Sequence, residues 1–176
     1  MRKRIMGFIK KTIVSCFICI SFLLAADGEQ LDGQEAGRAL DEVVRAFEKK
    51  MEGKFGLVCC KSGGRMPYDI QRIDIGFETP KSASLDEARK VGVFFMEQFL
   101  SMINSDEKVR PYLREYPFTS RRISMTLSFR EQSGKELYVS LVKNEVFYET
   151  RNGPSTKFIE VLKEPYEEAV KMVRKK

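Results

Sequence analysis

The chain has 176 residues, 43% hydrophobic and 32% charged, which is the composition of a globular protein able to bury a sizeable core. It contains no histidine, so a Ser-His-Asp or Cys-His catalytic site cannot form within one copy. The formal net charge is +6, but five of the 31 basic residues and none of the 25 acidic residues lie in residues 1–26. Residues 27–176 are therefore nearly neutral, with 26 basic and 25 acidic residues, and this balance argues against nucleic-acid binding.

Residues 1–26 have the three parts of a bacterial secretory signal peptide. A basic segment ends at Lys11, an uncharged apolar run covers residues 12–26, and the last two residues of that run are alanines. The run of 15 residues is shorter than the ~20 residues that a membrane-spanning helix needs. We therefore expect cleavage after Ala26, a periplasmic or secreted location, and a single domain over residues 27–176.

Two other interpretations of this leader stay open. An uncleaved leader would anchor the protein in the inner membrane through residues 12–26. Residues Ile13 to Cys16 have the residue types of a bacterial lipobox, but only four residues separate Lys11 from Cys16. So little apolar length before the cysteine argues against lipid attachment.

The first elements of the mature chain are predicted to be a helix and two strands. Helical spacing of apolar residues predicts a helix over about residues 34–50 that stops at Gly53. Residues 54–60 then read as a short strand and residues 61–67 as a turn. The next strand places three apolar residues on one face, with a bulge expected near Gln71. These residues are Ile73, Ile75 and Phe77.

The strongest helix pattern begins at Ser84, which forms an S-x-x-E capping box with Glu87. One stripe of this helix is apolar, and we expect it to pack in the core rather than to hold a cofactor. Phe95 and Phe99 are predicted core residues on that stripe. Its other members are Leu85, Ala88, Val91, Gly92, Met102 and Ile103.

In the C-terminal half, apolar residues recur at every second position, as in a β-strand. Ile123, Met125, Leu127 and Phe129 alternate with polar residues, and three further strands follow, separated by turns that include Asn152-Gly153. A terminal helix begins near Pro165, with acidic residues early and basic residues late. The predicted class is α+β, with an antiparallel sheet made of an N-terminal hairpin and a C-terminal four-stranded meander. That sheet packs against one long amphipathic helix and the terminal helices.

The stretches "YDIQRIDIGFE" and "INSDEKVRPYLREYPFT" bound a segment, residues 68–119, that resembles a family of uncharacterised exported bacterial proteins. This segment carries no catalytic signature, and the family has no assigned activity. The resemblance implies an exported, single-domain protein and transfers no site residue.

Cys59 and Cys60 are the main candidates for chemistry, as a disulfide or as a reactive thiol. In a strand they point to opposite faces, and their Cα atoms lie about 3.8 Å apart, closer than the 4.4–6.8 Å usual for disulfides. Two thiolates without a histidine make half of a zinc site, and a nucleophilic thiol would need nearby positive charge. We expect structural, reduced cysteines, with a disulfide as the alternative that an oxidising compartment keeps open.

The other polar motifs give no catalytic residue, no metal site and no cofactor site. Asp74 and Glu78 share a strand face with Arg72, which is typical of solvated ion pairs. Gly63-Gly64 has no phosphate-loop pattern, and although Arg65 and Lys61 would attract an anion, a β-turn is the simpler reading. Arg121 and Arg122 form a small basic cluster without an aromatic stacking series.

Tyr112, Tyr116 and Phe118 lie in a loop stiffened by Pro111 and Pro117. Such a loop is a candidate partner contact, because tyrosine and arginine are enriched at interfaces. The alternative is a loop that closes one end of the core, which is the commoner arrangement on soluble domains.

The predicted function is a non-catalytic module that binds a protein or another component of the cell envelope. The leader, the lack of a catalytic constellation and a sheet able to offer an edge support this hypothesis. One alternative is a thiol-dependent enzyme that uses Cys59 or Cys60. The other is a module tethered to the membrane by its uncleaved leader.

Overall fold

Residues 33–153 and 157–175 are described by a computed structural model. They form three α-helices and six β-strands, with two 3-10 turns, Arg110–Tyr112 and Ser120–Arg122, before the third strand. The elements in order are α1 (Gly33–Phe55), β1 (Val58–Arg65), β2 (Arg72–Thr79), α2 (Leu85–Ser105), β3 (Ile123–Arg130), β4 (Lys135–Val142), β5 (Glu145–Asn152), β6 (Ile159–Pro165) and α3 (Tyr166–Arg174). The predicted signal peptide lies outside the described residues.

The six strands form one sheet in the order of the sequence, β1 to β6. The α+β class is confirmed, but the prediction of a purely antiparallel sheet is wrong, because β2 and β3 are parallel. Neighbouring strands that are joined by hairpins run antiparallel. The connection from β2 to β3 contains α2, which returns the chain to the end of the sheet where β2 began, as parallel pairing requires.

The helices cover one face of the sheet. Alternate residues of β2 and β3 are buried there, and they join residues of all three helices in one apolar core. The intervening residues of these strands are mostly polar and only partly buried, so the other face is open to solvent. Arg72 and Asp74 pair on that open face at 3.0 Å, as predicted, and Glu78 pairs with Arg130 at 3.2 Å.

Four phenylalanine rings join α1, β2 and α2 at the centre of the core. The ring centroid of Phe95 lies 4.6 Å from that of Phe47 and 5.0 Å from that of Phe77, both in edge-to-face geometry. Phe99 lies 4.9 Å from Phe47. Phe95 and Phe99 are fully buried, which confirms their predicted place in the core. Such aromatic pairs add stability beyond the area that they bury.

The capping box at the start of α2 is confirmed. The hydroxyl of Ser84 accepts a hydrogen bond from the backbone N–H of Glu87, and the Glu87 carboxylate accepts one from the Ser84 backbone N–H at 2.8 Å. By contrast, α1 does not stop at Gly53 but continues to Phe55. Gly56 ends it with a φ of 67° and donates its N–H to the Glu52 carbonyl oxygen at 2.9 Å, which is an αL cap.

The first hairpin corrects two further predictions. The glycine pair lies in β1 rather than in a turn, because Gly64 passes so close to β2 that a Cβ there would meet the Arg72 carbonyl oxygen at 2.1 Å. The bulge lies in β1 between Cys59 and Lys61, not near Gln71. Ile70 lies outside β2 and forms an isolated parallel bridge with Leu113, which explains why it is out of phase.

Replacing Phe95 by alanine is expected to lower the free energy of unfolding by about 3–5 kcal/mol, because it removes a fully buried ring from the cluster. Chemical denaturation of both proteins measures this difference. Tyr68→Ala is the control, since Tyr68 is 61% exposed and its removal should change stability by no more than about 0.5 kcal/mol. Equal stability of Phe95→Ala and the wild type would contradict the assigned core.

Candidate functional site

An apolar surface lies at the β6 edge of the sheet. Phe158, Ile159 and Val161 are 45%, 63% and 52% exposed, and they lie within one stretch of four residues, 158–161. Within the part of the chain that the structure describes, β6 pairs with β5 on one side and with no strand on the other. An unpaired edge flanked by large apolar side chains is the kind of surface that accepts another strand.

A break in the register produces part of this exposure. Tyr148 of β5 pairs with Leu162, whereas the next residue, Glu149, pairs with Glu160, so Val161 has no partner of its own. An extra residue of this kind bends the strand and redirects side chains. Val161 is thereby available at the surface although its neighbour Leu162 packs against the core.

A cleft of about 210 Å³ adjoins Val161 on the side where the sheet ends. Strands β3, β4 and β5 contribute both apolar and polar residues to its floor, and the segment before α2 forms one wall. The cleft is lined by Ser82, Ala83, Ser84, Leu85, Phe129, Glu131, Lys135, Glu136, Leu137, Thr150 and Val161. Because α2 begins only at Leu85, it leaves this end of the sheet uncovered. We call Phe158, Ile159, Val161 and this cleft the β6 surface.

Buried polar contacts hold β6 in place. The carboxylate of Glu164 accepts hydrogen bonds from Arg89 of α2 and from the hydroxyl of Tyr148, both at 2.8 Å. Arg89 also pairs with Asp86 at 2.8 Å. Sequence analysis missed this network, because Arg89 lies beside an apolar stripe and nothing in the sequence indicates that it is buried. The adjoining cavity of about 10 Å³ is too small for a ligand, so the network is structural.

On the open face, Phe158 packs against a network of charged residues. Its ring lies 4.7 Å from that of Tyr138 in edge-to-face geometry, and the guanidinium of Arg151 lies 5.0 Å from the Phe158 ring. Arg151 and Arg130 both pair with the buried carboxylate of Glu136, at 2.6 and 2.8 Å. Burial acts to raise the pKa of Glu136, but the hydrogen bonds from Tyr138 and Arg151 outweigh it and hold that pKa below its ordinary value. Phe158 is thus fixed by its neighbours.

The structure places Cys59 and Cys60 away from this surface, on β1 at the other edge of the sheet. Both thiols are free. Cys59 packs against the core, while Cys60 is exposed in the bulge. Partial burial and the neighbouring Glu48 raise the pKa of Cys59 to about 12, and burial with Glu78 raises that of Cys60. Both environments disfavour the thiolate that nucleophilic catalysis requires.

The aromatic loop is divided between the core and the surface. Phe118 is buried, and the Tyr112 hydroxyl donates a hydrogen bond to Glu35 of α1 at 3.0 Å. Tyr116 is 58% exposed and lies 5.0 Å from the Arg110 guanidinium. Of these three aromatic residues, Tyr116 offers the largest free surface, and a role for the loop in partner contact stays a prediction.

The described residues hold no group of three or more Cys, Asp or Glu side chains that could bind a metal ion. Within the same ranges, no helix is long and apolar enough to cross a membrane. What sequence analysis missed is the β6 surface. The run Phe158-Ile159-Glu160-Val161-Leu162 is apolar on both faces, and at the edge of a sheet such a run exposes some of its residues.

Thiol labelling tests the assigned environments of the cysteines. In a protein with Cys16 and Cys19 replaced by serine, both remaining thiols should react more slowly at pH 8 than free cysteine, because their pKa values are raised. Cys60 should react faster than Cys59 because it is exposed. Cys60→Ser assigns the two rates, since only the rate of Cys59 remains in that variant. Both thiols should react rapidly in denaturant. A thiol that reacts faster in the folded protein than in denaturant would contradict this description.

No model of a protein family, no curated protein and no solved structure matches this chain. The resemblance of residues 68–119 to uncharacterised exported bacterial proteins therefore stays a prediction.

Proposed function

We propose that this protein is an exported, non-catalytic binding module that takes up an extended segment of a partner protein at the β6 surface. The observation that carries this proposal is the combination of an unpaired strand edge with exposed apolar residues and an adjoining cleft. Backbone hydrogen bonds to the edge supply affinity in this mode of recognition, and pockets for alternate side chains supply specificity.

The dimensions of the edge limit what it can bind. Strand β6 has seven residues and ends at Pro165, which has no N–H to donate to an added strand. The usable edge is thus about 20 Å long at 3.3 Å per residue, enough for a segment of about six residues. Side chains of that segment alternate between the two faces, so one apolar side chain would enter the cleft beside Val161.

The partner is expected in the cell envelope or outside the cell, since the leader resembles a secretory signal peptide. A thiol-dependent enzyme is the competing class, but the surroundings of Cys59 and Cys60 disfavour the thiolate. An uncleaved leader would tether the same binding module to the inner membrane.

The β6 surface can be tested with a pair of matched variants. Val161→Lys places a charge beside the cleft, whereas Val58→Lys changes a valine that is also 52% exposed but lies on β1, at the opposite edge. A photo-crosslinking residue at Ile159 identifies the partner in intact cells. Val161→Lys should then weaken binding of the purified partner by at least about tenfold, the equivalent of 1.4 kcal/mol.

Val58→Lys should bind like the wild type, and both variants should keep the wild-type unfolding midpoint, because both valines are exposed. Equal partner binding by Val161→Lys and the wild type would reject the β6 surface. Cross-linking only to a second copy of this chain would reject a separate partner and favour self-association through the edge.

The leader makes a separate prediction about location. N-terminal sequencing of the protein purified from cells should begin at Asp27, in the periplasm or the medium, because two alanines end the apolar run. A retained Met1 in the membrane fraction would instead support the tethered form. Neither result depends on the β6 surface, so the two parts of the proposal fail separately.

A further inference from the structure

A second cleft lies at the opposite end of the sheet from the β6 surface. It has a volume of about 270 Å³ and forms where β1 ends, β2 and β3 begin, and the turn from β4 to β5 passes. Its lining consists of Arg65, Gln71, Arg72, Arg121, Arg122, Ile123, Ser124, Val142 and Lys143. Five of these side chains are cationic and none is acidic. We call it the basic cleft.

This concentration of charge contrasts with residues 27–176 as a whole, which hold 26 basic and 25 acidic residues. Arg65 and Arg72 are direct partners in the β1–β2 ladder, and like charges opposite each other destabilise a sheet. Arg121 and Arg122 add two adjacent cations immediately before β3. An anion between these segments would relieve the repulsion.

Most of the donor groups in the basic cleft are available to a ligand. Arg72 pairs with Asp74 through one guanidinium nitrogen at 3.0 Å, and Arg122 pairs with Glu115 in the same way at 3.1 Å. Each guanidinium has five N–H donors, so one contact leaves others free. Among the described residues, Arg65, Arg121 and Lys143 form no ion pair.

The backbone around the basic cleft is held in place. The turn that carries Lys143 has two residues with positive φ, 51° and 69°, as the tightest hairpins require. Its second residue, Asn144, accepts a hydrogen bond from the Ser120 hydroxyl at 2.7 Å and donates one to Glu167 at 2.6 Å. The turn with Lys143 is thereby tied to the segment with Arg121 and Arg122, as a preorganised site requires.

We propose that the basic cleft binds a small anion that carries phosphate. A carboxylate is planar and is satisfied by one guanidinium fork, whereas a phosphate presents charged oxygens in several directions. The cations here come from four separate segments around one space, an arrangement that suits a tetrahedral, multiply charged group. The inference does not depend on the β6 surface, which lies at the other end of the strands.

Isothermal titration calorimetry of the full-length chain with sodium tripolyphosphate, at constant ionic strength, tests this proposal. The wild type should bind the probe, and Arg65→Gln/Arg121→Gln should weaken binding by at least about tenfold, since charge-assisted hydrogen bonds are lost. The control is Arg45→Gln/Lys49→Gln, which removes two exposed charges from α1 and should change binding by less than about twofold. The affinity of Arg65→Lys/Arg121→Lys for tripolyphosphate should fall between those of the wild type and the glutamine variant, because lysine keeps the charge but lacks the planar guanidinium group.

Further arms of the experiment identify the source and chemistry of the anion. Binding to vesicles that contain phosphatidylglycerol, dependent on Arg65 and Arg121 and stronger than binding of tripolyphosphate, would assign the cleft to lipid phosphates. Stronger binding of tripolyphosphate would assign it to a soluble phosphate compound. Citrate binding as tightly as tripolyphosphate would overturn the choice of phosphate. Absent binding, or equal losses in the cleft variant and the α1 control, would overturn the site.

Discussion

The contact of Phe95 with Phe47 and Phe77 is the interaction on which the arrangement of this protein depends. It joins α1, β2 and α2 at one point. Because α2 is also the connection between two parallel strands, it has to cross the sheet, and the aromatic cluster fixes where it crosses. The capping box sets its first residue, Leu85. The start of α2 and its buried stripe together decide which part of the sheet is covered and which part stays open.

Covering only one face of a six-stranded sheet leaves three kinds of free surface. The open face carries ion pairs. In one of them, the buried carboxylate of Glu136 pairs with both Arg130 and Arg151. Both edge strands contain an irregularity in their pairing, but β1 carries a glycine pair whereas β6 carries two large exposed apolar residues, Ile159 and Val161. The two ends of the sheet differ in charge, with a cleft of mixed apolar and polar lining beside β6 and a cationic cleft at the other end.

We propose binding rather than catalysis on the basis of the β6 edge and the two clefts. The chain has no histidine, and the two cysteines lie in surroundings that raise their pKa values. The buried network of Arg89, Tyr148 and Glu164 satisfies its own hydrogen bonds and ties α2 to β5 and β6. It thus anchors the C-terminal end of β6 to α2 and β5, and in the proposed binding mode such anchoring would reduce the conformational freedom lost on binding. The two proposed surfaces share no lining residue.

The sequence by itself determined the order of the elements, the α+β class, the capping box at Ser84 and the burial of Phe95 and Phe99, because periodicity and capping are local properties. It misassigned Gly63-Gly64 as a turn, since only the approach of Arg72 explains a glycine inside that strand. The parallel pairing of β2 and β3, the burial of Arg89 and both clefts depended on the tertiary structure. Each of them arises where segments distant in sequence come into contact. The spacing of residues along one segment does not predict such contacts.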